Sequence, residues 1–225
     1  MASSQRERGL DGRNQTLVAD AVQFYSALAA NNAKEWWVDN KPTYDTKLKA
    51  PALALLDEVA APLARLTDLP ITTKLFRPHR DIRFSKDKTP YKTHLHMMWA
   101  LDSDAPQNPV FFFGIGRDYV SIGAGIMGFD KPVLVNWRKM VDLDTDRIMG
   151  ITNDLRSAGF TFRDPALKRV PAPFEKDHPA ADLLRMKGVV ASRSASGKGT
   201  LPDQIMDTFT TLWPLNDLLI SIAEA

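Results

Sequence analysis

Four short segments in the middle of the chain are apolar or alternate apolar with polar residues. They cover residues 72–76, 94–101, 110–115 and 119–126, and turn-forming Pro, Gly, Asp and Asn residues separate them. Such a pattern predicts β-strands. The connections after the second and third segments are too short for the helix that joins parallel neighbours. The segments therefore predict a mainly antiparallel sheet.

Helical periodicity precedes these strands. Apolar residues recur at helical spacing over residues 16–31 and again over 44–63, where two prolines are expected to kink or divide the helix. Between the two stretches, Asn32 and Glu35 have the spacing of a capping box. We therefore expect a group of N-terminal helices, with a helix start at Asn32.

Helices return after the fourth strand, and the segment 192–200 has the composition of a mobile loop. Runs of helices on both sides of a run of strands are typical of an α+β fold, here with N-terminal helices, a central mainly antiparallel sheet of about four or more strands, and C-terminal helices. Residues 1–15 are polar and expected to be disordered or frayed, which leaves a single domain over 16–225. The expected N-caps of the later helices are Asp130, Asp142 or Asp144, Asp177 and Thr200.

Composition restricts the chemistry available to the chain. The 225 residues are 44% hydrophobic and 25% charged, which is ordinary for a globular protein. The absence of cysteine excludes thiol nucleophiles, disulfides, iron–sulfur clusters and cysteine-ligated zinc.

No apolar run reaches the length of about 18 residues that a membrane span needs, and the first residues lack the apolar part of a signal peptide. We expect a cytoplasmic protein with no membrane partner.

Positive charge is concentrated in one segment. Residues 74–94 contain seven Lys or Arg and two Asp, a net charge of +5, whereas the rest of the chain carries 22 basic and 25 acidic residues. A local excess of positive charge favours an anionic partner if the fold gathers it on one surface.

An extended backbone over residues 75–84 would sort these side chains by alternation. One face would then carry the ionisable side chains of Arg77, His79, Asp81 and Arg83. Arg80 would face the other way, where we expect it to pair with a carboxylate such as Glu35 or Asp87. Guanidinium groups bind carboxylate or phosphate in a bidentate manner. The alternative interpretation is a charged edge strand that discourages aggregation, followed by a lysine-rich loop.

A long string in this segment resembles a known family. It comprises Phe76, Arg77, Arg80, Asp81 and the run RFSKDKTPYKTH over residues 83–94. The string resembles the hallmark of the bacterial and fungal family called domain of unknown function 2461. Further similarities lie at Asn31-Asn32, Glu35-Trp36, Asn40-Lys41, Tyr44, residues 123–125, residues 177–179 and Pro214-Leu215. The resemblance implies that Asn40-Lys41 and the string belong to one unit, and it implies no activity or cofactor. His79 and His96 lie outside the pattern.

Other motifs each have a competing structural explanation. His94 and His96 have the spacing of metal ligands but need a third ligand, so we expect no metal site. Residues 123–128 match G-x-G-x-x-G, yet dinucleotide binding also needs a parallel strand where the sequence predicts a helix. Asp177-His178 is expected to cap a helix rather than form a catalytic dyad. The aromatic residues Trp36, Trp37, Tyr44 and Trp99 favour core packing over a ligand-binding wall.

These observations support two hypotheses of different classes. In the first, a pocket binds a small phosphorylated or carboxylated ligand, with no cofactor. Phosphoester chemistry is then an open possibility, with Asp81 or His94 as the proton carrier. In the second, a flat basic face without catalytic activity binds nucleic acid or an acidic protein, with nucleic acid disfavoured by the near-neutral net charge. Oligomeric state stays open. The candidate ligand-binding residues are Arg77, Arg80, Arg83, Ser85, Lys86, Lys88, Lys92 and His94.

Overall fold

The computed structural model describes residues 2–195 and 199–225. Three helices and a π-helical segment precede the first strand, and the remaining helices follow the fourth strand. The elements are α1 (Ala2–Ala30), α2 (Lys34–Thr43), the π-helical segment (Tyr44–Lys49), α3 (Ala50–Thr67), β1 (Ile71–Leu75), β2 (Leu95–Leu101), β3 (Val110–Ile115), β4 (Val120–Ile126), α4 (Lys131–Leu143), α5 (Thr145–Ser157), β5 (Thr161–Phe162), α6 (Ala181–Leu184), β6 (Val189–Ser194) and α7 (Leu201–Glu224). The predicted α+β fold is confirmed.

The six described strands form one sheet in the order β1-β2-β3-β4-β6-β5, and every neighbouring pair is antiparallel. The four strands predicted from the sequence are confirmed to within a residue or two at their ends. The sequence analysis missed β5 and β6. Residues 192–194, expected in a mobile loop, pair with β4 as part of β6, and residues 196–198 of that predicted loop lie outside the described residues.

Helices α1, α3 and α7 cover one face of the sheet. On this face the indole N–H of the fully buried Trp99 donates to the carbonyl of Leu56 on α3 at 3.0 Å. The ring of Phe209 on α7 lies 5.4 Å from Trp99 and 4.6 Å from Phe111, centroid to centroid. Each large aromatic side chain buries about 150–250 Å², so these contacts anchor the helices to the sheet. Trp99 is therefore a core residue, as predicted.

The other face of the sheet carries aromatic rings that lie close against glycines. Phe112 is the register partner of Gly123, and His96 is the register partner of Gly114. A Cβ atom at Gly123 would come within 2.3 Å of the Phe112 ring, and one at Gly114 within 2.8 Å of the His96 ring. Small residues at these two positions therefore let both rings rest on the sheet.

The ends of the N-terminal helices differ in part from those expected. Ala33, not Asn32, occupies the N-cap position of α2, and it makes no side-chain cap. Pro51 lies in the first turn of α3, where the π-helical segment ends, so the stretch is divided there as expected. Pro62 lies inside α3, which continues to Thr67, so no division occurs at Pro62 and a kink there stays a prediction. Residues 2–15 lie in helix α1, and their fraying stays a prediction.

The C-terminal helices also differ in part from expectation. Thr200 and Asp203 form a reciprocal capping box at the start of α7, so this predicted cap is confirmed. Asp130 and Asp144 take the N-cap positions of α4 and α5 without a side-chain cap bond. The helix expected from Asp177 is wrong, since only α6 forms there, with Ala180 at its N-cap. No helix in the described part of the chain has both the length and the apolar character needed to cross a membrane.

Candidate functional site

The basic segment forms an irregular excursion between β1 and β2, residues 76–94, which we call the basic hairpin. The Arg80 amide donates to the Pro90 carbonyl at 2.9 Å, and the Lys92 amide donates to the Pro78 carbonyl at 2.7 Å. His79 and Tyr91 form an isolated antiparallel bridge between these bonds. The continuous extended backbone expected over 75–84 is therefore wrong, because prolines lack the N–H that a regular ladder needs.

Asn32 attaches the basic hairpin to the turn between α1 and α2. Its side-chain amide donates to the Tyr91 carbonyl at 2.9 Å and accepts from the Tyr91 amide at 3.1 Å. Without the Asn32 side chain, the amide and carbonyl of Tyr91 would be partly buried with no hydrogen-bond partner. Asn32 therefore satisfies the backbone of the hairpin rather than the end of α2.

Aromatic stacking fixes the same attachment. The Tyr91 ring stacks on Trp37 of α2, with centroids 4.4 Å apart and planes 16° from parallel, and the His79 ring meets Tyr91 edge-on at 5.1 Å. Tyr44 adds a tilted contact with Trp37 at 4.9 Å. Trp37 and Tyr44 are buried, so the core-packing interpretation holds for both.

Arg80 closes the tip of the basic hairpin. Its guanidinium forms an ion pair with Asp87 and donates to the Thr89 carbonyl at 3.2 Å and to the Thr89 hydroxyl. The Asp87 carboxylate also accepts from the Thr89 amide at 2.9 Å. This amide, the Arg80 guanidinium and the Thr89 hydroxyl lower the pKa of Asp87 to about 2. Of the two carboxylates expected as partners of Arg80, Glu35 and Asp87, the structure pairs it with Asp87.

Other cations at the tip are also engaged locally. Arg83 forms a two-point ion pair with Asp81, with N···O distances of 2.9 and 2.6 Å, and its side chain is 76% exposed. The hydrogen bonds from Arg83 lower the pKa of Asp81. Lys88 donates to the carbonyl of Ile82 at 3.0 Å. These contacts stabilise the tip and leave little of its charge for a ligand.

A cleft of about 380 Å³ lies between the basic hairpin, the C-terminal end of α1 and the β3–β4 turn. Lys92 and Arg117 contribute two cations for which the described residues show no carboxylate partner within ion-pair distance. The cleft is lined by Ala29, Asn32, Arg80, Asp87, Thr89, Tyr91, Lys92, Thr93, His94 and Arg117. Because Asp87 neutralises Arg80, the net positive charge of the cleft comes from Lys92 and Arg117.

His94 lies in the cleft, and its ring stacks on that of His96 with centroids 4.0 Å apart. Burial and the nearby Lys92 ammonium lower the pKa of His94. Burial, His94 and Lys92 lower the pKa of His96 to about 4. The second ring also forms a 2.7 Å hydrogen bond with the hydroxyl of Tyr119. Both imidazoles are therefore neutral at pH 7.

The structure distributes the candidate ligand-binding residues over three places: the cleft, the tip of the basic hairpin, and a neighbouring cavity lined by Arg77. Arg80, Lys92 and His94 line the cleft. Arg83, Lys86 and Lys88 are exposed on the hairpin outside the cleft, with Asp81 beside Arg83 and Ser85 within 3.5 Å of the Arg80 guanidinium. Ligand binding at any of these places stays a prediction.

Arg77 lines a neighbouring cavity of about 540 Å³ on the other side of the hairpin. Lys41 of α2 lines the same cavity, as does His79. The implied unit of Asn40-Lys41 with the basic string therefore has a spatial basis, although the Asn40 side chain donates within its own helix, to the Trp36 carbonyl at 2.8 Å.

Arg117 is a cleft residue that the sequence analysis missed. It lies in the β3–β4 turn, and the register pairs Leu95 with Ile115, so the residues after Ile115 lie close to His94. His94 and Arg117 are more than twenty residues apart in the sequence. Only the register of β2 and β3 could therefore have predicted that Arg117 lies near His94. The spacing of Asn32 and Glu35 predicts a helix cap, so nothing in the sequence indicated that Asn32 binds the backbone of Tyr91 and lines the cleft.

The other motifs do not form the sites their sequences suggest. Among the described residues, no three His, Cys, Asp or Glu side chains group closely enough to hold a metal ion. Gly123 and Gly125 lie within β4 of an antiparallel sheet, so the dinucleotide-binding arrangement is not formed. His178 accepts from the Ala180 amide at 3.0 Å and lies 3.4 Å from Asp142 of α4.

Fold and cleft together define an α+β protein with an antiparallel sheet, helices on one face, and a clamped basic hairpin beside a positively charged cleft. The chain belongs to the family described as conserved hypothetical protein (DUF2461), whose sequence profile matches residues 20–218. The match spans Asn32, the whole basic hairpin and Arg117, and it confirms the resemblance seen in the sequence. No curated protein matches the chain significantly.

Proposed function

We propose that the protein binds a small phosphorylated or carboxylated ligand in the cleft beside the basic hairpin. The supporting observation is that Lys92 and Arg117 line a concave surface with no carboxylate partner among the described residues, whereas Arg80, Arg83 and Lys88 are engaged within the hairpin. Two cations on a surface of this size suit one or two anionic groups.

The cleft also offers neutral hydrogen-bonding groups next to these cations. Thr93 and His94 line it together with Lys92. A half-buried ammonium is less screened by solvent than one on an open surface, which strengthens its attraction for an anion. The rigid attachment by Asn32 holds these groups in place before a ligand arrives, so little conformational freedom is lost on binding.

A phosphoester reaction in this cleft would depend on His94. Of the two proton carriers considered from the sequence, His94 lies in the cleft, and Asp81 is exposed and paired with Arg83 at the hairpin tip. A neutral imidazole with a lowered pKa can accept a proton at pH 7. The proposal itself concerns binding. It would extend to catalysis if the wild type hydrolysed a phosphoester and His94→Gln abolished that activity.

Isothermal titration calorimetry with inorganic phosphate, pyrophosphate and citrate tests the proposal. We expect wild type to bind at least one of these anions, and Lys92→Ala and Arg117→Ala each to weaken binding about 10- to 100-fold, the loss expected for a charge-assisted hydrogen bond. Arg83→Ala is the matched control, because it removes an exposed cation outside the cleft, and it should bind like wild type. Equal losses in all three variants would contradict a specific cleft site.

Salt dependence distinguishes a pocket from a nucleic-acid-binding face. A pocket that engages one or two anionic groups releases few counterions, so its affinity changes little with salt. A face that contacts six or more phosphates loses about a thousandfold or more in affinity between 50 and 200 mM salt. Titrations of fluorescent RNA and DNA oligomers across this salt range, compared with titrations of the small anions, decide between a pocket and a nucleic-acid-binding face. Micromolar oligomer binding with a steep slope would replace our proposal with the interaction module.

A further inference from the structure

An apolar groove of about 260 Å³ lies on the face of the sheet opposite α1, α3 and α7. It is lined by residues of β2, β3 and β4 and by residues that flank β1 and β4. Those that carry the argument are Phe76, His96, Met98, Phe112, Tyr119 and Met127. Met127 is 62% exposed. The groove is therefore an apolar surface that is open to solvent at Met127.

The floor of the groove is built by close cross-strand packing. The Phe112 ring rests over Gly123 and the His96 ring over Gly114, at distances that no Cβ atom at either glycine would permit. The Tyr119 ring covers Gly116 in the same way. Flat rings together with the flexible thioethers of Met98 and Met127 form a surface that adapts to an apolar ligand.

The groove adjoins the positively charged cleft at one end. His94 of the cleft stacks on His96 of the groove at 4.0 Å. The Lys92 ammonium in the cleft lies 5.8 Å from the centroid of the Phe76 ring in the groove, and the Lys74 ammonium lies 5.0 Å from the same ring. Positive charge is therefore gathered where the two surfaces meet, and the rest of the groove is apolar.

We propose that the ligand is an anionic amphiphile whose carboxylate or phosphate lies in the cleft at Lys92 and Arg117 and whose aliphatic or aromatic body lies along the groove. This inference rests on the proposed function, and it specifies the ligand class. The groove follows β3 from Gly114 to Val110, a path of roughly 13 Å at about 3.3 Å per residue. A single small anion would leave this adjoining apolar surface uncovered.

NMR titrations with two homologous series test the inference. The first series is acetate, butyrate, hexanoate, octanoate and decanoate, and the second is the corresponding alkyl phosphates, each used below its micelle-forming concentration. Burial of a methylene group predicts a gain in affinity of about three- to fourfold per added methylene until the groove is filled. The two series separate a carboxylate head from a phosphate head.

Two groove variants, Met98→Gln and Met127→Gln, should flatten the dependence on chain length and leave the affinity for acetate or methyl phosphate unchanged. Leu143→Gln, which alters an exposed apolar residue on α4, is the matched control and should behave like wild type. Chemical-shift changes at Met98 and Phe112 that grow with chain length would support the inference. A chain-length dependence that survives both groove variants would overturn it.

The remaining outcomes separate this inference from the proposed function. Binding of acetate or phosphate that is lost in Lys92→Ala and Arg117→Ala but does not strengthen with chain length would overturn the inference and leave the proposed function standing. An affinity for the longest-chain probes that is unchanged in the Lys92→Ala/Arg117→Ala double variant would overturn both, because the anionic head would then bind without the cleft cations. Failure of every probe to bind would also overturn both.

Discussion

The side-chain amide of Asn32 holds both backbone polar groups of Tyr91, a residue 59 positions further along the chain. This contact connects the α1–α2 turn to the basic hairpin and places Lys92, the next residue, at the edge of the cleft. The Tyr91 ring stacks on Trp37 of α2 beside it. The position of Lys92 therefore depends on an attachment that carries no charge.

Removal of the Asn32 side chain should destabilise the fold. Asn32→Ala leaves the amide and carbonyl of Tyr91 without their partners in a partly buried location, and we expect a loss of about 1–3 kcal/mol in the free energy of unfolding. The adjacent Asn31 is an exposed matched control whose side chain donates to the Ala27 carbonyl near the end of α1. Asn31→Ala should change stability by less than about 0.5 kcal/mol in urea denaturation. Equal effects of the two substitutions would contradict the attachment.

Arg80 and Arg83 should differ in their effect on stability although both form ion pairs. The Arg80 side chain is 26% exposed and links Asp87 to Thr89, so Arg80→Ala should cost about 1–2 kcal/mol of unfolding free energy. Arg83→Ala removes an exposed pair and should leave the denaturation midpoint unchanged.

An NMR pH titration of Asp87 supplies a second measurement for the same comparison. In Arg80→Ala the pKa of Asp87 should rise only part of the way to its ordinary value, because the Thr89 amide still donates to the carboxylate and is the largest cause of the lowering. In Arg83→Ala the pKa of Asp87 should stay at about 2. A complete return to the ordinary value in Arg80→Ala would show that the guanidinium, and not the backbone, controls this carboxylate.

Acidification should destabilise the protein through His96. Its pKa in the folded protein is about 4, below the ordinary 6.5, so between these values the unfolded chain binds the proton and the folded protein does not. Stability is therefore lost as the pH falls from 6.5 to 4. After allowance for partial solvent screening, we expect the contribution of His96 to be about 1–2 kcal/mol.

Urea denaturation of wild type and His96→Gln at several pH values between 7 and 4 measures this contribution. The glutamine keeps a polar side chain near Tyr119 and does not titrate, so the loss of stability on acidification should be smaller in the variant. His94, whose pKa is also lowered, stays in both proteins and cancels in the comparison to first order. Parallel pH profiles for the two proteins would contradict the assignment to His96.

Local sequence signals predicted the parts of this fold that depend on neighbouring residues. Four strands, their antiparallel pairing and the capping box at Thr200 follow from alternation, short connections and helix-start spacing. The pairing of Arg80 with Asp87 was predictable as one of two alternatives, because both residues lie in one short loop.

Long-range contacts determined the rest. The spacing of Asn32 and Glu35 fits a capping box. In the structure the Asn32 side chain instead forms hydrogen bonds with the backbone of Tyr91, because tertiary contacts override a local preference. Strand β6 was missed because its pairing with β4 joins segments about seventy residues apart. Arg117 reaches the cleft through the register of β2 and β3, which no single segment of sequence records.

The glycines of the G-x-G-x-x-G match should differ sharply from one another. A Cβ atom at Gly123 would lie 2.3 Å from the Phe112 ring and 2.6 Å from the Ala191 carbonyl oxygen, and a Cβ atom at Gly128 would meet nothing within 4 Å. Gly123→Ala should therefore cost about 1–3 kcal/mol, the usual range for overpacking. Gly128→Ala should change the unfolding free energy by less than about 0.5 kcal/mol.

Thermal and urea denaturation of Gly123→Ala and Gly128→Ala measure this difference, and Phe112→Leu in the Gly123→Ala background checks its cause. A smaller side chain at position 112 should recover part of the lost stability, because the ring is the nearest atom group to the added methyl. A dinucleotide-binding loop would instead tolerate Gly123→Ala in stability and lose nucleotide binding. If Gly123→Ala is as stable as wild type, the close packing of Phe112 on the sheet is wrong, and with it the flat floor of the apolar groove.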